Sequence, residues 1–259
     1  MDLDGTLVGR DLTVRPRVVE ALAKMRDAGI RGCIVTGRMY RAALPFARHL
    51  RLDAPLVCYQ GAAVIDPNND AVLFDRPLGS ALVRELIEVT HADGMHLQLY
   101  RNDEFFVEER NGFAAHYARL AQIEPIVVAS LTETFSRAEA TKAVVIADPL
   151  DAQAYAARLQ ERFRGRAYVT RSYPEFVEVL DLTVNKGTAF AFVADHLGIG
   201  MEETLAIGDG WNDHPLLQAA AFGVAMGDAP MELRSVADGV VGSVADDGVA
   251  EAIERFVLV

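Results

Sequence analysis

The chain opens Met1-Asp2-Leu3-Asp4-Gly5-Thr6-Leu7, and a second acidic cluster, Gly208-Asp209-Gly210-Trp211-Asn212-Asp213, lies near its other end. If both clusters serve one bound cation, the fold must carry opposite ends of the polypeptide to a single place. On extended backbone, residues i and i+2 project to the same side, so Asp2 and Asp4 can face one atom. Gly5 then permits a turn that brings backbone N–H groups close to an anion.

Between the clusters the pattern is one of short apolar runs alternating with helical ones. Arg17 to Ala28 has apolar residues at helical spacing and is stopped by Gly29. Ile30 to Val35 reads as a buried strand ending at Thr36-Gly37-Arg38. Met39 to His49 reads as a helix, Pro55 to Tyr59 as a strand, and the runs flanking Pro67-Asn68-Asn69-Asp70 as a hairpin. Strand–helix–strand alternation with short links favours a parallel sheet covered by helices. The order changes from Ser80 onward. A helix over Ala81 to His91 is followed by alternating strands at His96 to Tyr100 and Glu104 to Val107. A strand at Ala143 to Ala147, a helix at Ala152 to Phe163, and strands near Tyr168 and at Phe176 to Leu180 come next. The alternation resumes after Lys186, with helices at Thr188 to Leu197, Pro215 to Ala220 and Val249 to Phe256. The strands there are Thr204 to Ile207, Phe222 to Ala225 and Gly239 to Val241. The expected organisation is a core formed by residues 1–79 and 184–259, with residues 80–183 inserted as a second α+β domain.

Composition narrows the function. A chain of 259 residues can bury a sizeable core. Its net charge of −12, with no basic stripe, argues against a nucleic-acid backbone or an anionic membrane surface as partner. No apolar run approaches the roughly 18 residues of a membrane span, and the N-terminus has no signal-type pattern. Cys33 and Cys58, each beside an apolar run, read as buried free thiols. The chain is expected to be cytoplasmic.

The acidic clusters carry the chemistry. Asp2 is the candidate nucleophile, since a carboxylate that attacks phosphorus splits hydrolysis into two easier displacements through an aspartyl-phosphate. Asp4 is placed to protonate the departing alcohol and then to deprotonate the attacking water. Thr36 and Gly37 end an apolar run, where a hydroxyl and backbone N–H groups at the carboxyl end of a parallel strand can hold phosphoryl oxygens. Arg38 either contacts the substrate or caps the next helix. Lys186, in Asn185-Lys186-Gly187-Thr188, can neutralise charge between nucleophile and phosphoryl group. Magnesium prefers a few hard oxygens together with water and phosphate; Asp2, Asp209 and the backbone carbonyl of Asp4 suit it. Asp213 supports the ion through water or orients Lys186, and Asn212 helps to place the loop. The six His residues show no metal-ligand spacing, and His214 reads as a loop residue. There is no G-x-G-x-x-G, no G-x-S-x-G and no P-loop.

In order and wording these motifs resemble the haloacid dehalogenase superfamily of phosphatases, specifically its Cof-type members. The matching segments are Asp2-Leu3-Asp4-Gly5-Thr6, Thr36-Gly37-Arg38, Lys186, and Gly208-Asp209 to Asn212-Asp213, with Ala225-Met226-Gly227-Asp228-Ala229 and Asp247-Gly248-Val249-Ala250 as further likenesses. The resemblance implies a Rossmann-like, doubly wound parallel-sheet core with an inserted α/β cap. It further implies Asp2 as nucleophile, Asp4 as acid and base, and Thr36 and Lys186 as phosphate ligands. Asp2, Asp4 and Asp209 would hold Mg²⁺ with Asp213 in support, and the substrate would be a small phosphorylated metabolite, often a sugar phosphate. This chain departs from the family's pattern in two ways. Only Met1 precedes Asp2, where several apolar residues are usual, so either the start is truncated or the fold carries a stub as its central strand. Gln60 and Asp228 stand where Asn is frequent. Two rival readings share the chemistry. A phosphotransferase or mutase differs only in whether water is excluded. A phospho-accepting receiver domain is about half this length and carries its acidic pair ahead of the phosphorylated Asp.

Overall fold

The computed structural model describes residues 1–258. It divides into two compact units, one made of Met1–Gly37, Ala43–Leu73 and Asn185–Val259, the other of Arg38–Ala42 and Phe74–Val184.

In chain order the first elements are α1 (Pro16–Asp27), α2 (Tyr40–Leu50), β1 (Leu56–Cys58), β2 (Ala63–Ile65) and β3 (Val72–Asp75). Helix α1 begins on Pro16, whose missing N–H is no loss in a first turn. It buries Val18, Ala21, Leu22 and Met25, a single face at i, i+3, i+4 and i+7. Strands β1, β2 and β3 lie side by side in that order, with β1 and β2 antiparallel.

The expected strand at Ile30 to Val35 is not formed as such. Its backbone pairs only at its end, through one parallel bridge between Val35 and Val57. Met1 explains this. Its ammonium donates to Cys33 O, and Val35 N–H donates back to Met1 O, which is the parallel bonding pattern. Asp2 N–H then donates to Ile207 O on the other side. Met1 and Asp2 thus lie between Cys33 and Val35 on one side and Ile207 on the other.

The second unit contains α3 (Ser80–Ala92), β4 (His96–Arg101), β5 (Glu104–Val107), α4 (Gly112–Ala121), β6 (Ile126–Val127), α5 (Leu131–Thr134), β7 (Lys142–Ile146), α6 (Pro149–Arg162), β8 (Ala167–Arg171) and β9 (Phe176–Asp181). Its six strands run in the order β6-β5-β4-β7-β9-β8, antiparallel except between β5 and β6. One face, with Leu97, Leu99, Ala143, Val145, Val177 and Val179, belongs to an apolar core shared with Val83 and Leu86 of α3 and Tyr155 and Leu159 of α6. The opposite face sets a buried polar group, Gln98, Lys142 and Glu178, among buried side chains such as Tyr100, Phe105, Val144 and Leu180. Lys142 donates to Glu178 at 2.6 Å with both side chains 2% exposed, and its ammonium sits 4.9 Å from the Tyr100 ring centroid.

The chain then returns through α7 (Lys186–His196), β10 (Leu205–Gly208), α8 (His214–Ala219), β11 (Phe222–Ala225), α9 (Met231–Arg234), β12 (Gly239–Val240) and α10 (Gly248–Phe256). Strands β10, β11 and β12 are parallel neighbours. With Asp2 hydrogen-bonded to Ile207 and Thr36 N–H donating to Val57 O, the order across the first unit is β12, β11, β10, residues 1–2, the Ile34–Thr36 segment, then β1, β2 and β3. This is the expected α/β architecture. Asp2, Thr36 and Gly208 all stand where parallel neighbours end, the edge at which such sheets bind ligands. His214, read as a loop residue, instead opens α8. No helix among the described residues is long and apolar enough to cross a membrane.

Helix α7 packs on the start of α8 without space between them. A β-carbon on Gly187 would overlap the main-chain oxygen of Pro215. Gly187→Ala is expected to destabilise the fold by about 1–3 kcal/mol, because backbone cannot yield as a flexible side chain can. Chemical denaturation checks this; unchanged or raised stability would mean that the contact is slack.

Candidate active site

Three segments distant in sequence meet in the first unit. The first brings Asp2, which is 5% exposed. Leu3 to Val8 then forms a tight turn, closed by Gly5 N–H to Val8 O and Val8 N–H to Leu3 O. The backbone therefore leaves the extended form after Asp2, and the half-buried Asp4 is set on this turn rather than along a strand. Gly5 is required twice over: its φ is +83°, and a β-carbon there would overlap the Asp209 carboxylate. Thr6, absent from the residues singled out in the sequence, donates from Oγ1 to Asp209 Oδ1 at 2.7 Å. The signal for it was its place inside the first motif.

Lys186 begins α7. Asn185 caps that helix, its Oδ1 accepting from Thr188 N–H while Thr188 Oγ1 accepts from Asn185 N–H, so the first-turn position of Lys186 is fixed. Its ammonium is fully buried and lies between Asp2 Oδ1 at 2.6 Å and Asp213 Oδ1 at 2.5 Å. The other oxygen of Asp213 accepts the backbone N–H groups of Asp209 at 3.0 Å and Gly210 at 2.8 Å. Asp213 thus joins the loop after β10 to Lys186, and its side chain does not cap α8.

Asp2, Asp209 and Asp213 each bring a carboxylate oxygen to within 4.8 Å of the others. One ammonium faces these three carboxylates, and among the described residues no donor reaches Oδ2 of Asp2 or of Asp209. Burial, ahead of repulsion from Asp213 and Asp4 and against the pull of Lys186, pushes the Asp2 carboxyl up to about 7. Asp209 is raised well above the carboxylate range by burial and then by Asp2 and Asp213. Burial would lower Lys186, but Asp2 and Asp213 outweigh it and hold its pKa above the usual lysine value. Three hard-oxygen donors crowded around one ammonium fit a divalent cation.

Thr36 is buried beside this cluster, following Val35, which bonds to Met1. Its main chain donates to Val57 O and accepts from Gln60 N–H at 3.0 Å. Gln60 Oε1 accepts from Asn212 Nδ2 at 2.9 Å, and the Gln60 amide fills the space that a β-carbon on Gly37 would need. Asp2, Asp209, Asp213 and Lys186 are therefore in direct contact, while Thr36, Gly37 and Asn212 are joined around Gln60. Arg38 is half-buried and falls in the second unit, where its charge acts on Tyr117.

The profile of the family described as haloacid dehalogenase-like hydrolase matches residues 1–253. The chain belongs to that family. It is 32% identical to the pyridoxal phosphate phosphatase of Escherichia coli over 98% of this chain and 96% of that one. A haloacid dehalogenase-like hydrolase from Bacteroides thetaiotaomicron superposes with a TM-score of 0.85 at 28% identity, over 98% of this chain and 97% of that one. A Thermotoga maritima protein superposes at 0.83 with 27% identity, over 98% and 95%. The chain is a phosphatase of this family, of the Cof type.

The raised Asp2 carboxyl has a thermodynamic consequence for metal-free protein. The unfolded chain releases this proton near pH 4, whereas the native state keeps it to about 7. Between those values the native state binds more protons, so this group's contribution to stability falls as pH rises. A divalent cation opposes that loss by binding only the native state. The gain in melting temperature from millimolar Mg²⁺ is expected to grow between about pH 5 and about pH 7.5. A gain that is flat with pH, or absent, contradicts this.

Proposed function

We propose that the protein hydrolyses small phosphomonoesters with Mg²⁺, using Asp2 as the nucleophile. The observation that carries the reading is the buried Lys186 ammonium, held between Asp2 and Asp213 beside two carboxylate oxygens that no donor among the described residues reaches. Asp2 and Asp209, with the main-chain carbonyl of Asp4, would hold the ion, and Asp213 stands behind them. When bound, Mg²⁺ supplies neutralisation and orientation of a phosphoryl oxygen.

The chain's own groups do the rest. Lys186 holds Asp2 in place, favours its ionised form and balances charge on the transferring group. The Thr36 hydroxyl and the Gly37 N–H receive phosphoryl oxygens. An Asp2 oxygen forms a bond to phosphorus as the P–O bond to the alcohol breaks, and Asp4 gives the departing alkoxide its proton. Asp4, now ionised, takes a proton from water as that water attacks the aspartyl-phosphate. Inorganic phosphate leaves, and both carboxyl groups return to their starting state. Arg38, which follows Thr36-Gly37 directly in the chain, is assigned to substrate.

The substrate class is a small phosphorylated metabolite, either a sugar phosphate or a phosphorylated heterocycle. The second possibility is supported by the relatives. Besides the pyridoxal phosphate phosphatase, they include a 5-amino-6-(5-phospho-D-ribitylamino)uracil phosphatase of Bacillus subtilis, 24% identical, and an HMP-PP phosphatase of Yersinia pseudotuberculosis, 26% identical.

Phosphate release from a panel of such esters, with Mg²⁺ and with chelator, tests the assignment. Asp2→Asn is expected to lose about 10⁴-fold or more in kcat. Asp4→Asn is expected to lose about 10²–10⁴-fold on alkyl phosphates. It should lose much less on p-nitrophenyl phosphate, whose leaving group needs no proton. Turnover that survives Asp2→Asn, or an Asp4→Asn loss equal for both kinds of ester, would contradict the roles given.

A further inference from the structure

The turn after β1 is the most strained stretch of the first unit, and its side chain touches the site without a part in the reaction. Tyr59, Gln60 and Gly61 have consecutive positive φ values of +53°, +59° and +102°. The first two are not glycine, and such residues persist only where their surroundings hold them. Gly61 has no alternative, because a β-carbon there would overlap the main-chain oxygen of Asn185, the residue before Lys186. Gln60 is 1% exposed. Its N–H donates to Thr36 O, its Oε1 accepts from Asn212, and its amide lies against Gly37. One residue therefore touches the Thr36-Gly37 turn and the loop bearing Asp209 and Asp213, while its neighbour abuts the start of the Lys186 helix. Left-handed backbone is easier for Asn than for Gln. The longer side chain is therefore kept against a backbone preference, and its extra methylene supplies the reach to Asn212.

We propose that Gln60 is a positioning residue that locks the acidic loop to the phosphoryl-binding turn, so that cation and phosphoryl group are held in fixed register. This rests on the reading of Asp2, Asp209 and Thr36 given above. A brace that serves only the fold would, on removal, lower the melting temperature and leave the bound phosphoryl group alone. A brace that sets register acts on transition-state binding, since a displacement of about 1 Å costs on the order of 10²-fold in rate.

The test uses Gln60→Asn, Gln60→Ala, Asn212→Gln and the swap Gln60→Asn/Asn212→Gln, which moves the methylene from one side of the bond to the other. Four quantities are read: kcat and KM on a small phosphomonoester, affinity for orthovanadate, Mg²⁺ affinity by calorimetry without substrate, and melting temperature. Gln60→Asn is expected to keep or raise the melting temperature while kcat and orthovanadate affinity fall together by roughly 10–100-fold. Mg²⁺ affinity should weaken and KM change little. The swap should recover most of each loss. If Gln60→Ala does not fold, Gln60→Asn decides alone, since its backbone preference suits the turn. Wild-type kcat and orthovanadate affinity in Gln60→Asn, or a swap no better than the single variants, overturns the assignment. Activity lost in Asp2→Asn but kept in Gln60→Asn sinks the Gln60 role only, whereas activity kept in Asp2→Asn sinks the reading beneath it.

Discussion

The site depends on one buried ammonium. Lys186 holds Asp2, which lies 184 residues before it in sequence, and Asp213, which lies 27 after it, so three chain segments share one charge. Taking such charges out of water is costly, and a buried ion pair is by itself weak evidence of stability. What makes this one tenable is that its partners are fixed from behind. The Asp213 carboxylate is saturated by two backbone N–H groups as well as by Lys186, and Lys186 is set by the cap at Asn185. The arrangement still carries more negative than positive charge, and burial, with repulsion between the carboxylates behind it, raises the carboxyl groups of Asp2 and Asp209. A lysine held this way is suited to orienting a carboxylate rather than to moving a proton, because its own pKa is driven upward.

Close backbone approach is the second requirement, and glycine supplies it at the joints. Gly5 lets the first motif meet Asp209, and Gly37 admits the Gln60 amide. Gly61 lets the strained turn reach Asn185. None of these contacts is strong, yet each removes the tolerance that would let the loops drift apart. The short central strand shows the same economy. Met1 and Asp2 offer little ladder, but Leu3 and Leu7 on the turn that follows are almost wholly buried and anchor it from beyond.

Much of this was legible in the residues. Helices α1 and α10 announce themselves by period, α7 by its Asn185 cap and the glycine that follows it, and the alternation of short apolar runs with helical ones points to the parallel core. Ile30 to Val35 has the apolar character that marks burial, whereas a strand needs partners along its whole length, and here those partners reach only Cys33 to Thr36. Helix α4 lies outside the expected elements although its signals are present: Asn111 caps it, and Ala114, Tyr117, Ala118 and Ala121 lie at helical spacing. Three of those four are alanines, which carry too little hydropathy to stand out. The acidic clusters and Lys186 could be grouped because their chemistry is complementary. Thr6 and Gln60 stand out only through the family's motifs, since the contacts of a hydroxyl on a turn and an amide in a loop depend on what lies across from them.

Gln60 also shows why an acidic site of this kind needs an uncharged brace. A lysine or arginine at that position would neutralise the carboxylates that must stay available to a cation, and a carboxylate would add repulsion to groups that burial already raises. An amide ties Asn212 to the Thr36-Gly37 turn without altering the balance, and burial strengthens its hydrogen bond by excluding competing water. Charge therefore fixes which groups can act, while neutral contacts fix how far apart they stand. The first can be read from residue types; the second required a backbone conformation that no sequence pattern signalled.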